Sequence, residues 1–586
     1  MSHEPHSSVV SGADVSGSPV GSVVIMLHSH LPFYRKAGMW PFGEENLYEC
    51  MCETYLPLLN LFNELRAEGI PANITLGITP ILAEQLADPH LKAGFIEYIE
   101  TRLLAVRKDI AKYESQPTLP HAAHLLFLAR YYETWFDNLL RDFCERYHQD
   151  VIGAFRALQD AGCIEITTSA ATHGFLPLQG NDESITAQLK TGVESYKRHF
   201  GRAPKGVWLP ECAYRPAWQI KDPESGETYV RPGIDMFLFQ QNLEYFFTEY
   251  SALEGGESSD TRRVIGLYDF KVQYVPTHVP LAPTGLTTDE AYWMRDYPVA
   301  VMGRSHRASF QVWSATYGYP GDGLYREFHQ KDVDSGMHYW RLTSKERGIG
   351  DKMLYDPLLA KAKAKEHAEH YVSLLAQLAK EKSAQKNNEH VLLLVSFDTE
   401  LFGHWWFEGV EWFRGVIKGL DNHPDIRLST GSDYLRCHPP KTAITLPEST
   451  WGQGGHYWVW QNQNTDWMWP IIHDAEDKML ALATQFEGET NPIRVRALNQ
   501  AMRELFLLEA SDWPFLVTTF QAKDYAIERF EGHVTRFQTL AKMLESGYVD
   551  EVVLHEIEAI DNAFPDADYR WFKKQPAPVA IPSALS

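Results

Sequence analysis

Disulfides, membrane anchors and excess positive charge are all scarce in this sequence, and each scarcity excludes a class of protein. Six cysteines in 586 residues (Cys50, Cys52, Cys144, Cys163, Cys212, Cys437) form neither a dense framework nor a paired CxxC metal pattern. They read as buried thiols of a reducing, cytoplasmic compartment. The longest apolar runs, Val23 to Leu27 and Val391 to Val395, have the size of strands and fall far short of the roughly 20 residues that span a bilayer. Lys and Arg number 54 against 77 Asp and Glu, a net charge of −23. That surplus repels phosphate backbones and anionic lipid surfaces, which argues against nucleic-acid or membrane partners and for a neutral ligand. The opening residues 1–20 carry Glu4 and Asp14 and have neither a basic n-region nor an apolar h-region, so they read as a disordered leader. No repeat of fixed period is visible.

Aromatic residues, by contrast, are plentiful. The 17 Trp and 28 Tyr suit a protein that grips sugar rings on indole and phenol faces while leaving polar edges free. With 44% apolar and 22% charged residues the chain falls in the globular range, and its length leaves room for a large domain plus at least one satellite. Short β-branched runs alternate with long amphipathic stretches, the pattern of parallel strands joined by helices in an α/β fold. Strands are predicted at Ser22–His28, Ala72–Ile78, Ile164–Ser169, Gly206–Leu209, Asp235–Phe239, Val299–Gly303 and His390–Phe397. A helical insertion is expected at about 81–158, exposed loops at Ser251–Arg263 and Ala282–Asp289, and a mainly helical domain over 441–586 after a catalytic domain at 21–440.

Chemistry-bearing residues cluster where strands end, the functional face of a β/α barrel. In Val23-Val24-Ile25-Met26-Leu27-His28-Ser29-His30 the alternation puts His28 and His30 on one face. Two imidazoles there could ligate a metal, hydrogen-bond sugar hydroxyls, or simply cap the strand. Val207-Trp208-Leu209-Pro210-Glu211-Cys212 ends an apolar strand in a carboxylate beside an indole, a candidate nucleophile. Leu394-Val395-Ser396-Phe397-Asp398-Thr399-Glu400 ends a buried strand in two carboxylates. Apolar neighbours raise the pKa of Asp398 toward that of an acid catalyst, while Glu400 either shares that face or salt-bridges a neighbouring strand. Two carboxyls about 5 Å apart are what a retaining glycosidase requires.

Taken together, these segments resemble glycoside hydrolase family 57. The likeness runs through His28-Ser29-His30-Leu31-Pro32, Ala170-Ala171-Thr172-His173-Gly174, Trp208-Leu209-Pro210-Glu211 and Phe397-Asp398-Thr399-Glu400 to a tryptophan-rich segment near the C-terminus. Trp40-Pro41-Phe42-Gly43-Glu44-Glu45, Gln311-Val312-Trp313-Ser314, Gly318-Tyr319-Pro320-Gly321-Asp322 and Phe402-Gly403-His404-Trp405-Trp406 resemble its branching-enzyme subgroup. The resemblance implies an incomplete (β/α)7 barrel, a helical insertion, and a C-terminal helical domain closing over the cleft. It implies Glu211 as nucleophile, Asp398 as acid/base and no metal or other cofactor. His28, His30 and His173 then line a sugar subsite, Trp40, Trp313, Trp451 and Trp460 contact an α-glucan such as amylose or glycogen, and Asp512 is a further substrate contact or a turn cap. A loop tyrosine of the family finds no clear counterpart between Glu211 and Trp313. An α-amylase or 4-α-glucanotransferase of the same family, a metal-dependent polysaccharide deacetylase using His28, His30 and Asp398, and a non-catalytic glucan-binding protein are the alternatives.

Overall fold

The computed structural model describes residues 19–221, 228–256, 264–265, 271–272, 282–314, 317–344 and 348–573. Most of the expected leader, and 257–263 of the expected loop, lie outside the described residues.

Seven parallel strands make the central barrel: β1 (Gly21–Ser29), β2 (Ile74–Ile78), β3 (Ile164–Thr167), β4 (Gly206–Val207), β5 (Tyr245–Thr248), β6 (Ala300–Gly303) and β7 (Val391–Asp398). Ladders run β7-β1-β2-β3 on one side and β6-β5-β4 on the other. Single parallel bridges, Thr168 to Val207 and Arg304 to Leu394, join the two halves. β1 is buried along its whole length and β7 up to its terminal Asp398, as expected of strands covered on both faces. Removing each Val, Leu or Ile side chain of these strands from water contributes about 1.5–3 kcal/mol. An eighth strand, β8 (Ile426–Ser429), pairs with the first half of β1, while β2 pairs with its second half.

One predicted strand is a helix. Asp235–Phe239 lies inside the helix Ile234–Gln240, and the barrel strand of this region is the aromatic run Tyr245–Thr248. A five-residue, mostly apolar run fits either period, and Asp235–Leu238 is buried throughout, so burial decides nothing between them. Asp235 is buried, accepts a 2.9 Å hydrogen bond from the Tyr214 hydroxyl, and is pushed up to about 6 by burial.

Between β2 and β3 the helices α1 (Pro80–Ala87), α2 (Pro89–Ser115), α3 (Ala122–Arg141) and α4 (Val151–Asp160) follow one another. Asp88 starts α2 by accepting from the Leu91 amide, with Pro89 in the first turn. Beyond β8 lie α5 (Met468–Gln485), α6 (Pro492–Leu508), α7 (Asp512–Thr519), α8 (Lys523–Glu545) and α9 (Glu551–Ile560). Their shared core includes Phe33, Ile81, Ala171 and Phe175 of the barrel segment, so the helices and barrel are joined through apolar contact. All six cysteines are free, but Cys437 is exposed and Cys144 half-buried, contrary to the expectation of buried thiols.

A pair of buried carboxyls spans the same junction. Glu509 accepts from Ser184 at 2.5 Å and Gln188 at 2.7 Å, while Glu476 accepts from the backbone of Gly180 at 2.7 Å and Asn181 at 3.3 Å. Burial, and then the charge of Glu509, pushes Glu476 well up, and burial likewise raises Glu509. Arg231 is the cation that counters Glu476. Raised native values mean that the pair's contribution is present in acid and is lost as pH rises through the native values. Glu476→Gln, which mimics the protonated carboxyl, is expected to raise the thermal midpoint at pH 9 by about 2 °C or more and to flatten its decline from pH 6. Differential scanning fluorimetry across that range checks this, and an unchanged slope would sink it.

Candidate active site

The register of the barrel sets the first contact, because His28 and Asp398 are Cα partners at the ends of β1 and β7. The His28 Nε2 lies 3.0 Å from the His173 Nε2, and the His30 ring stacks on that of His173 with centroids 3.8 Å apart. His30 is held by Thr79 Oγ1 at 3.2 Å and Asp512 Oδ1 at 3.0 Å. Burial, followed by the neighbouring imidazoles, keeps His28 and His173 well below the usual histidine value, so both are neutral. In the deacetylase alternative His28 and His30 would be ligands through free ring nitrogens. Here their Nε2 atoms already face His173 and Asp512.

Glu211 stands past the end of β4, in the short helical turn Pro210–Cys212. Its φ is 58° and that of Cys212 is 53°, two successive left-handed residues without glycine. His173 has φ of 60° as well. Such backbone is disfavoured by about 1–3 kcal/mol per residue and persists where surrounding bonds hold it. Those bonds are present: Cys212 N–H donates to Leu209 O at 2.8 Å, and Trp451 N–H donates to Glu211 O at 3.2 Å. The carboxylate is equally well tied down. Trp451 Nε1–H donates to Oε2 at 2.9 Å and the Ser511 hydroxyl donates to Oε1 at 2.9 Å. Burial nevertheless raises its pKa, more than those two bonds lower it.

Asp398 is in the opposite condition, since its carboxyl accepts no hydrogen bond from the described residues. Burial, then the nearby charge of Glu211, pushes it up to about 7, with His30 and Arg304 acting the other way. Glu400 makes no salt bridge among the described residues. It is buried, takes a 2.5 Å hydrogen bond from the Tyr55 hydroxyl, and is pushed up to about 8 by burial and by Asp398.

A family model described as glycosyl hydrolase family 57 matches residues 24–447. The chain belongs to glycosyl hydrolase family 57. A second model, described as 1,4-alpha-glucan branching enzyme, C-terminal, matches residues 471–572, so this family 57 chain carries Glu211 and Asp398 in the first matched region and Ser511 and Asp512 in the second. It is similar to a 1,4-alpha-glucan branching enzyme of Thermococcus kodakarensis, 43% identical over 93% of this chain and 77% of that protein. The crystal structure of that enzyme aligns with a TM-score of 0.85 at 41% identity, covering 95% and 98% of the two chains. A family 57 branching enzyme of Pyrococcus horikoshii aligns at 0.83 with 37% identity over 96% and 98%. The α-amylase AmyC of Thermotoga maritima aligns at 0.79 with 29% identity over 95% and 99%.

The tryptophans expected to contact glucan occupy four different environments. Trp40 is 76% exposed. Trp313 is half-buried beside Phe397, its Nε1–H donating to Ser396 O at 3.3 Å. Trp451 is the donor to Glu211. Trp460 is only 1% exposed, stacked on Phe175 at 4.7 Å, so it fills core and presents no face to a ligand in this conformation. Neither Ser511, Tyr55 nor Arg304 carries a signal of its own in the sequence. Ser511 directly precedes Asp512, and only Asp512 stands among the sequence candidates.

Proposed function

We propose that this chain is a 1,4-α-glucan branching enzyme acting by double displacement, with Glu211 as nucleophile and Asp398 as general acid and base. One observation carries this reading: two neighbouring carboxyls in contrasting environments. Glu211 has a donor on each oxygen and is suited to stay ionised, whereas the Asp398 carboxyl has none among the described residues and is pushed up to about 7. Such divergence separates a nucleophile from an acid. The match of 471–572 to the branching-enzyme C-terminal model and the two branching-enzyme relatives support the choice of reaction.

In the first step Glu211 attacks the anomeric carbon of an α-1,4-linked glucan while Asp398 gives its proton to the departing 4-oxygen, leaving a glucosyl ester. In the second, Asp398 takes the proton of a 6-hydroxyl on another glucose unit, that oxygen attacks the anomeric carbon, and Glu211 leaves as carboxylate. Neutral His28 and His173, with His30 and Asp512, suit the first sugar subsite, and exposed Trp40 and half-buried Trp313 suit stacking on more distant rings. The domain division at about 440 is part of this reading, with the C-terminal helices completing the cleft. No cofactor or metal enters either step. Six free thiols support a cytoplasmic setting.

Likeness to an α-amylase favours hydrolysis as the second reading. The two diverge in product: amylose treated with the enzyme gains reducing ends upon debranching if α-1,6 links were made. Reducing ends that appear before debranching and do not rise after it would replace the transferase with a hydrolase.

A further inference from the structure

We propose that Ser511 is the positioning residue of the Glu211 carboxylate, its single hydroxyl proton committed to Oε1 by a hydrogen-bond chain that runs back through His173 to His28; this rests on the assignment of Glu211 as nucleophile. The four side chains come from separate parts of the chain: the end of β1, the segment after β3, the segment after β4, and the junction of α6 and α7. They form one chain of contacts, His28 Nε2 to His173 Nε2 at 3.0 Å, His173 Nδ1 to Ser511 Oγ at 2.9 Å, and Ser511 Oγ to Glu211 Oε1 at 2.9 Å.

The direction along this chain is determined by elimination. An ionised Glu211 can only accept, so the single hydroxyl proton of Ser511 goes to Oε1. Ser511 Oγ must then accept from His173 Nδ1–H. His173 is neutral, which leaves its Nε2 bare, and so His28 donates from Nε2–H. His28 Nδ1 is thereby an acceptor, and it is buried without a hydrogen-bond partner among the described residues. A serine hydroxyl that would otherwise rotate among partners is committed to one. With Trp451 on the other oxygen, the plane of the carboxylate is held from both sides.

The backbone places Ser511 for this task. Ser511 N–H donates to His173 O at 3.1 Å, and Gly174 and Ala510 form an antiparallel bridge. The left-handed φ of His173 is thus secured by the same residue that reads its ring. Because Ser511 and Trp451 both follow the segment matched by the family 57 model, the nucleophile's donors come from the C-terminal part of the chain while the nucleophile itself comes from the barrel.

Titration tests the idea. Around Glu211 stand Asp398, His30 and Asp512, with His173 Nδ1 3.8 Å away and Arg304 acting on Asp398. The bonds from Trp451 and Ser511 hold the Glu211 pKa down against burial. Losing one of them raises it, so a higher pH is needed to ionise the nucleophile. In full-length Ser511→Ala the acid limb of kcat/KM on amylose is expected to move up by about one pH unit, with kcat lowered about tenfold at neutral pH. Ser511→Cys, a weaker donor of similar shape, is expected to fall between. Equal loss at every pH, or an unmoved limb, overturns the proposal provided Glu211→Gln is inactive. An active Glu211→Gln instead overturns the assignment beneath it.

Discussion

Glu211→Gln is expected to lower amylose turnover by roughly 10⁴-fold or more, because the amide cannot form the glucosyl ester and no neighbouring group replaces it. The fold is expected to survive the change. The new amide has nearly the shape of the old carboxyl, its oxygen still accepts from Trp451, and the Ser511 hydroxyl can turn to accept from the amide. Burial raises the native pKa of Glu211 above its ordinary value, so in the wild type its ionisation weakens the fold as pH rises. The variant therefore matches or exceeds the wild-type melting midpoint at pH 7. Reducing-end assays alongside thermal melts check both halves. Activity within tenfold of wild type would remove Glu211 from the nucleophile's role, whereas a collapsed melt would show only that the site had unfolded.

Asp398→Asn is expected to lower turnover on amylose by about 10²–10⁴-fold, the usual range for a positioned acid. The loss depends on the leaving group. A maltooligosyl fluoride, whose fluoride departs without protonation, recovers most of the first step. The pH profile carries independent information. Asp398 must be protonated for the first step, and burial and the Glu211 charge push it up to about 7. Activity therefore falls as pH rises through about 7, while the acid limb reports the ionisation of Glu211; both limbs belong to the coupled pair. In Asp398→Asn the alkaline limb is expected to vanish from the residual activity. A limb that persists near pH 7 would transfer the acid's role elsewhere, and Glu400, pushed up to about 8 beside it, is the first residue to test.

Much of the barrel was legible because its strands are long apolar runs. β1 and β7 are buried along nearly their whole length, and a run of that kind bounded by polar residues has little else to become. Asp235–Phe239 is a helix rather than the expected strand because five mostly apolar residues satisfy helix and strand alike, and the strand lies instead in the aromatic run Tyr245–Thr248, too short to show a period of its own. The strand-end motifs brought out Glu211, Asp398, His28 and His30 as candidates from sequence alone, because barrels put chemistry after strands. Of the four tryptophans, Trp460 proved to be core, since composition near the C-terminus does not say which indole faces inward.

The sequence by itself determined the α/β class, the family, and which carboxyls to weigh, because these rest on local periodicity and on residue types at fixed short spacings. Only the tertiary structure decided how those groups differ. Ser511 reaches Glu211 across 300 positions, and Trp451 across 240. Asp398 is set apart by burial and by the charge of Glu211, brought from a distant segment, rather than by its neighbours in the chain. Protonation states follow from desolvation and from donors within about 3 Å, and both are properties of packing that no local spacing encodes.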